Sequence, residues 1–295
     1  MCLIAFAIGA SKQWPLVIAA NRDEFFDRPA LPLARWQTEA GHNIVSGRDL
    51  LAGGSWLGIS ETGRIAMLTN VRKVPLHAIP KTAKSRGELV TRWLEGEQAS
   101  FDAFMTQIDP QAYGGFNLVI GDLPSGAWHC LSNRTTAAEA CSLTTSRQRQ
   151  SGWTAGVLEE GIYGLSNAAL DTPWPKTQVL KDALNVALAT ASEGELTAHL
   201  WKALANRDKA AIADLPETGL PTELETALSA AFISEAGDDV RKPYGTRCST
   251  VVVARPLEVK SASRWEVSIE EITHPAPGNL HSGDVRPRSI VNLTI

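Results

Sequence analysis

The sequence predicts an α+β fold of interleaved sheet and helix layers, on three observations. Short apolar runs bounded by turn residues fill the chain to about residue 70. Helix-period apolar stripes preceded by capping residues occupy the middle, and strand-like apolar runs return at the end. Strands first, helices between and strands last is an order expected of layered sheets and helices. No repeat, low-complexity tract or linker breaks the 295 residues, so the chain reads as one domain, 1–295.

The elements follow in order. Leu3 to Ile8 and Leu16 to Ala20 are apolar runs around a polar break at Gly9-Ala10-Ser11-Lys12-Gln13, which predicts a β-hairpin. The second run ends in Asn21-Arg22-Asp23-Glu24. A Pro-containing loop is expected from Phe26 to Ala34, then short strands at Ile44-Val45-Ser46 and Ser55 to Ile59. Glu61-Thr62-Gly63 signals a turn into a strand from Arg64 to Thr69. Ser85-Arg86-Gly87-Glu88 has the spacing of a capping box, and Leu89, Val90, Trp93 and Leu94 share one helix face. A second helix is expected from Ser100 to Ile108. Strands are expected at Phe116 to Ile120, Trp128 to Leu131 and around Tyr163 to Ser166. Thr172-Pro173 reads as N-cap and first helical position, before the stripe Val179, Leu180, Ala183, Leu184, Ala187 and Leu188. Ser192 and Thr222 each precede a Glu by three residues and start further helices. The last strands are Thr246 to Ala254, Trp265 to Ile272 and Ile290 to Ile295.

Composition narrows the function. A net charge of −4 lacks the basic excess of a nucleic-acid partner. No apolar stretch approaches the ~18 residues of a membrane span, and no basic leader precedes the first strand. These features predict a cytoplasmic protein without integral membrane association. Cys2, Cys130, Cys141 and Cys248 are too widely and irregularly spaced for a disulfide framework or zinc, and the six histidines form no metal motif.

Cys2 is the first candidate for chemistry. Cells usually clip an initiator Met that precedes a small residue. Clipping would leave Cys2 with a thiol and a free α-amine, groups that titrate near ~8.5 and ~7.7–8.0. Nucleophile and base would then share one residue. The hairpin folds Arg22 and Asp23 back toward Cys2, where an Arg–Asp pair would orient the amine and favour the thiolate. The same pair also reads as a structural ion pair closing a strand. Side chains alternate along a strand, so if Asp23 faces Cys2, Arg22 does not, unless the strand ends or bulges.

Met1-Cys2, the apolar hairpin and Asn21-Arg22-Asp23-Glu24 resemble the NRDE family, that of the transport and Golgi organisation proteins. The resemblance continues through Gly53-Gly54-Ser55-Trp56-Leu57-Gly58, Leu68-Thr69-Asn70, Ser85-Arg86-Gly87, Gly164-Leu165-Ser166-Asn167, Thr172-Pro173-Trp174 and Tyr244-Gly245-Thr246-Arg247. Several motifs in order are far more specific than one. The resemblance implies a four-layer αββα sandwich of two antiparallel sheets, similar to N-terminal-nucleophile hydrolases. It also implies an association with haem handling and with lipid or acyl-CoA metabolism, but no agreed reaction. A weaker similarity is to the choloylglycine and penicillin-V acylase branch of those enzymes. There the Arg and Asp of the second strand are two residues apart, whereas Arg22 and Asp23 are adjacent.

The catalytic set expected on this basis is Cys2, Asp23, Asn70 and Asn167. Cys2 is the nucleophile, Asp23 orients its amine, and the two asparagines donate to an oxyanion, with Asn117 as an alternative donor. The binding set is Asn21, Arg22, Arg247 and Trp56, with Trp174 a further pocket candidate. Arg247 enters a buried strand and needs an acidic partner, either Asp23 or a substrate carboxylate. His42, His77 and His129 are the haem-ligand candidates, and no Cys-x-x-Cys-His attachment is present. The expected function is a cysteine hydrolase or acyltransferase acting on an amide or thioester bond of a small acylated substrate. No cofactor is required by that chemistry. The rival is a non-catalytic carrier of haem or acyl-CoA on the same scaffold, and a third reading is an interaction protein with structural strand-end charges.

Overall fold

The computed structural model describes residues 2–71, 83–96, 100–133, 148–150, 152–234, 243–257, 264–276 and 286–295. His77 and Cys141 lie outside them. The strands are β1 (Cys2–Ile8), β2 (Leu16–Phe25), β3 (Ala30–Gln37), β4 (Asn43–Asp49), β5 (Leu57–Ser60), β6 (Arg64–Asn70) and β7 (Phe116–Asp122). Then come β8 (Ala127–Ser132), β9 (Gln148–Gln150), β10 (Trp153–Val157), β11 (Gly161–Leu165), β12 (Tyr244–Leu257), β13 (Arg264–Thr273) and β14 (Arg288–Thr294). The helices are α1 (Gly87–Glu95), α2 (Phe101–Thr106), α3 (Pro175–Ala187), α4 (Glu193–Leu204) and α5 (Thr222–Ala227).

Two sheets form. One has the order β11-β1-β2-β12-β13-β14 and the other β3-β4-β5-β6-β7-β8-β10-β9. Every strand pairing in both is antiparallel. Strand alternation gives each sheet an inner and an outer apolar face. Ile4, Phe6, Ile18 and Ile269 of the first sheet meet Val45, Ile59, Met67 and Val119 of the second between the sheets. Leu3, Ala5, Val17 and Val251 face the other way, onto Leu180, Leu184, Leu196 and Leu200 of α3 and α4. Ala66, Leu68, Leu118 and Ile120 pack outward against Leu89, Val90, Trp93, Leu94 and Phe104 of α1 and α2. The layers therefore run helix, sheet, sheet, helix, the αββα order expected.

Several local expectations are corrected. β3 begins at Ala30, inside the expected loop. It is an edge strand with a register shift between Leu31 and Ala34. Pro32 is tolerated at such an edge because it owes no ladder hydrogen bond outward. β9 and β10 were not anticipated, since Thr154-Ala155-Gly156 shows little strand patterning and pairing with β8 holds it in place. β2 does not stop at Ala20 but carries Asn21 to Phe25 within the sheet. The expected capping box at Ser85 is not formed: Arg86 is the N-cap without a side-chain bond, and the Glu88 carboxylate accepts from Tyr113 Oη instead. α3 starts two residues late, with Trp174 as N-cap and Pro175 in its first turn. Thr172-Pro173 carries the same proline signal two residues earlier; within the expected stripe Leu180 and Leu184 are buried, whereas Val179 is exposed. α5 does begin at Thr222, but Pro221 is its N-cap and no side-chain cap bond forms. Ser100 and Ser192 cap α2 and α4 as expected, accepting from Ala103 N and Glu195 N.

Candidate active site

The β1–β2 register places Cys2 directly across from Arg22. Directly opposed residues share a face, so Cys2 and Arg22 both point toward the space between the sheets. The side chain of Arg22 is 6% exposed and is held on two sides. Asp49 Oδ2 accepts from Nη2 at 3.3 Å, and the Trp56 ring centroid lies 4.2 Å from the guanidinium carbon. Trp56 in turn lies over Gly47, where an added Cβ would meet the indole at 2.2 Å. Asp49 was not anticipated as a site residue. Its Oδ1 accepts from Leu51 N and Ala52 N at 3.0 and 2.9 Å, the turn chemistry that Asp before a Gly-Gly pair suggests. Its Oδ2 also accepts from Arg28 Nε at 2.5 Å, which no sequence spacing indicated.

A cleft of about 460 Å³ opens beside Cys2. Its lining includes Cys2, Arg22, Asp23, Trp56 and Asn70 of the expected set, with Arg28 and Asp49 added. Asn21, Asn167 and Arg247 do not line it. Asn21 lies on the helix-facing side of β2, fully buried, donating to Leu204 O and Ala231 O and accepting from Ser249 Oγ at 2.6 Å. Asn167 Nδ2 is turned to Asn70 O at 2.8 Å. Arg247 is the extra residue of a bulge in β12 between Thr246 and Cys248. It donates to Phe25 O and Arg28 O and pins the turn after β2, and among the described residues no ion pair joins it to Asp23. Alternation turns Asp23 away from Arg22 toward Thr246, whose Oγ1 donates to Oδ1 at 2.7 Å. Asn117 donates to Thr69 Oγ1 and Ala168 O. Of the histidines, His42 is exposed in the turn before β4, and His129 stacks on Phe101 at 3.7 Å. Neither lines the cleft.

Electrostatics set the state of the thiol. Burial raises the Cys2 pKa above that of an ordinary thiol; the charge of the chain's terminal amine opposes this first and Arg22 less, while Asp23 adds to it. Desolvation wins, so Cys2 is held mainly as the neutral thiol near neutrality. Further along the same face, burial pushes Cys248 well above the usual thiol range, helped by the Glu271 carboxyl beside it. Burial also raises Glu271, although Leu33 N donates to its Oε1 at 2.8 Å.

Comparison with known proteins follows the motifs. The chain matches the family model described as Transport and Golgi organisation 2 over residues 1–264. It belongs to that family. Among Transport and Golgi organisation relatives, the Bos taurus homolog is 31% identical over 92% of this chain and 98% of its own. The Homo sapiens homolog is 30% identical over 92% of this chain and 99% of its own. The names of these Transport and Golgi organisation proteins state no reaction. Among solved structures, a Caenorhabditis elegans N-acylethanolamine-hydrolyzing acid amidase ortholog gives a TM-score of 0.42 at 11% identity, covering 68% of this chain and 85% of that one. A likeness at that level assigns no chemistry to this Transport and Golgi organisation family member. Among the described residues, no helix is long and apolar enough to cross a membrane.

Proposed function

We propose that this chain is an N-terminal-cysteine hydrolase or acyltransferase acting on an amide or thioester bond of a small acylated substrate. One observation carries the reading: the Cys2 thiol lines an open cleft, with Arg22 beside it from its own sheet and Asn70 from the other sheet. The cleft volume of about 460 Å³ falls in the range of small-molecule sites, ~300–1,000 Å³.

The chemistry follows from the state of the thiol. A thiol kept neutral by burial needs a base. Removal of Met1 would supply one, the α-amine of Cys2 itself. The amine takes the thiol proton, and sulfur attacks the substrate carbonyl to form a C–S bond. The carbonyl electron pair moves to oxygen, and Asn70 is the donor at hand for that oxyanion. Collapse breaks the C–N or C–S bond of the substrate, and the leaving group takes the proton from the amine. Water then attacks the acyl-thioester, releasing a carboxylic acid and restoring the thiol; another nucleophile in place of water makes the step an acyl transfer. Arg22, fixed by Asp49 and Trp56, presents its remaining N–H groups to a polar or anionic part of the substrate.

The cationic side chains of Arg22, Arg28, Lys84 and Arg86 in the lining also suit a carrier of anionic ligands such as acyl-CoA. Haem carriage is less well supported, because no histidine of the described residues lines the cleft. Intact-mass analysis of natively produced protein, before and after incubation with acyl-thioesters and activated amides, tests the proposal. Loss of Met1 and an acyl adduct on Cys2 that vanishes in Cys2→Ala support the enzyme. Retained Met1 with no adduct, and acyl-CoA binding that Arg22→Ala weakens, would overturn it in favour of the carrier.

A further inference from the structure

Three consecutive residues just beyond β11 stitch the two sheets together at the cleft. Ser166 Oγ donates to Cys2 O at 3.1 Å, and Asn167 Nδ2 donates to Asn70 O at 2.8 Å. Ala168 O accepts from Asn117 Nδ2 at 2.6 Å. Cys2 belongs to the six-stranded sheet, whereas Asn70 and Asn117 belong to the eight-stranded one. Ser166 and Asn167 are both buried, and Ser166 Oγ lies 3.3 Å from Asn167 Oδ1, so the two side chains brace each other.

We propose that Ser166 and Asn167 are positioning residues that set the gap between the Cys2 sulfur and the Asn70 amide; this rests on the hydrolase reading above. Cys2 is the first residue of β1 and Asn70 the last of β6. Ladder hydrogen bonds lie within a sheet and leave the separation of two stacked sheets to side-chain packing, so side-chain bonds that cross between them at the strand ends add a constraint there. The clasp acts on the backbone carbonyls of both residues, and both residues line the cleft. Oxyanion donors work within a narrow range, ~2.7–3.1 Å. A misplacement of ~1 Å can cost roughly 100-fold in rate. An asparagine at 167 thus serves the site without lining it, through the residue it holds.

Two reactions of Cys2 separate this role from a general effect on folding. Acylation by p-nitrophenyl acetate passes through an oxyanion and expels p-nitrophenolate. Alkylation by iodoacetamide displaces iodide and forms no oxyanion. Asn167→Ala and Ser166→Ala are expected to slow acylation roughly 10–100-fold while alkylation stays within about twofold. Ser166→Thr keeps the hydroxyl and should restore acylation. Asn70→Ala should slow acylation alike, and adding Asn167→Ala to it should cost little more, since both act on one donor. Acylation and alkylation falling together, or additive losses in the double variant, would overturn the proposal. Unchanged acylation in both alanine variants overturns the clasp alone, whereas a parent that is never acylated at Cys2 overturns the hydrolase reading and the clasp with it.

Discussion

Cys2 and Arg22 are direct cross-strand partners at the open end of the first hairpin, and the Arg22 guanidinium is held by Asp49 and Trp56. The placement is rigid on the arginine side and half-open on the cysteine side, where Cys2 is only partly buried. Cys130 and Cys248 are both fully enclosed.

Cys2 should therefore alkylate faster than Cys130 and Cys248 in the folded protein. Because burial raises its pKa, the rate should keep climbing past the ordinary thiol range near ~8.5 rather than levelling there. Arg22→Gln removes a charge that lowers this pKa and should slow the reaction further at neutral pH. Iodoacetamide labelling with peptide mapping across pH measures this; Cys2 labelling no faster than Cys248 would refute it.

Asp49→Asn should destabilise the protein by about 3 kcal/mol or more, because it strands the buried Arg22 guanidinium. The turn itself should survive, since an amide oxygen can still accept from Leu51 N and Ala52 N. Urea melts give the magnitude. A change below about 1 kcal/mol would mean that the Trp56 face and the open cleft suffice to hold Arg22.

Asp23→Asn keeps an oxygen to accept from Thr246 Oγ1, so stability should move by no more than about 1 kcal/mol. Loss of the charge should lower the Cys2 pKa, because Asp23 raises it. Alkylation of Cys2 at neutral pH should speed up while acyl turnover falls, if the carboxylate orients the Cys2 amine. Faster turnover in Asp23→Asn would remove Asp23 from the mechanism.

Two buried groups should contribute to the pH dependence of stability. His274 is lowered to about 3, by burial first and then by Arg286 and Arg207. Its folded value lies below the unfolded ~6.5, so its stabilising contribution is present above ~6.5 and lost as pH falls toward about 3, by up to ~1.4 kcal/mol per unit. Cys248 is raised well above an ordinary thiol, so its contribution is intact below ~8.5 and lost as pH climbs beyond it. His274→Gln should flatten the acid limb and Cys248→Ser the alkaline limb of stability against pH. Melts that keep both slopes in these variants would place the titrating groups elsewhere.

Much of the layering was legible in the chain, because periodicity reports how a segment buries its apolar side. Leu89, Val90, Trp93 and Leu94 mark the buried face of α1 without any tertiary knowledge. Two short apolar runs around a polar break likewise determined the hairpin that brings Arg22 to Cys2. Motif order determined the family. What the chain could not reveal was which atoms each polar residue would face. Asn21, Arg22 and Asp23 are neighbours in sequence, yet alternation sends Arg22 to the cleft and Asn21 to the helices, and only the β1–β2 register decides which goes where. A bulge at Arg247 likewise redirects that side chain to backbone carbonyls. Asp49, Ser166 and Asn167 gained their partners from strands up to 164 residues away, as with Ser166 and Cys2. The Arg22–Asp49 and Asn167–Asn70 bonds depend on the stacking of the two sheets and the Ser166–Cys2 bond on the pairing of β11 with β1, properties of the assembled layers that no local pattern of residues encodes.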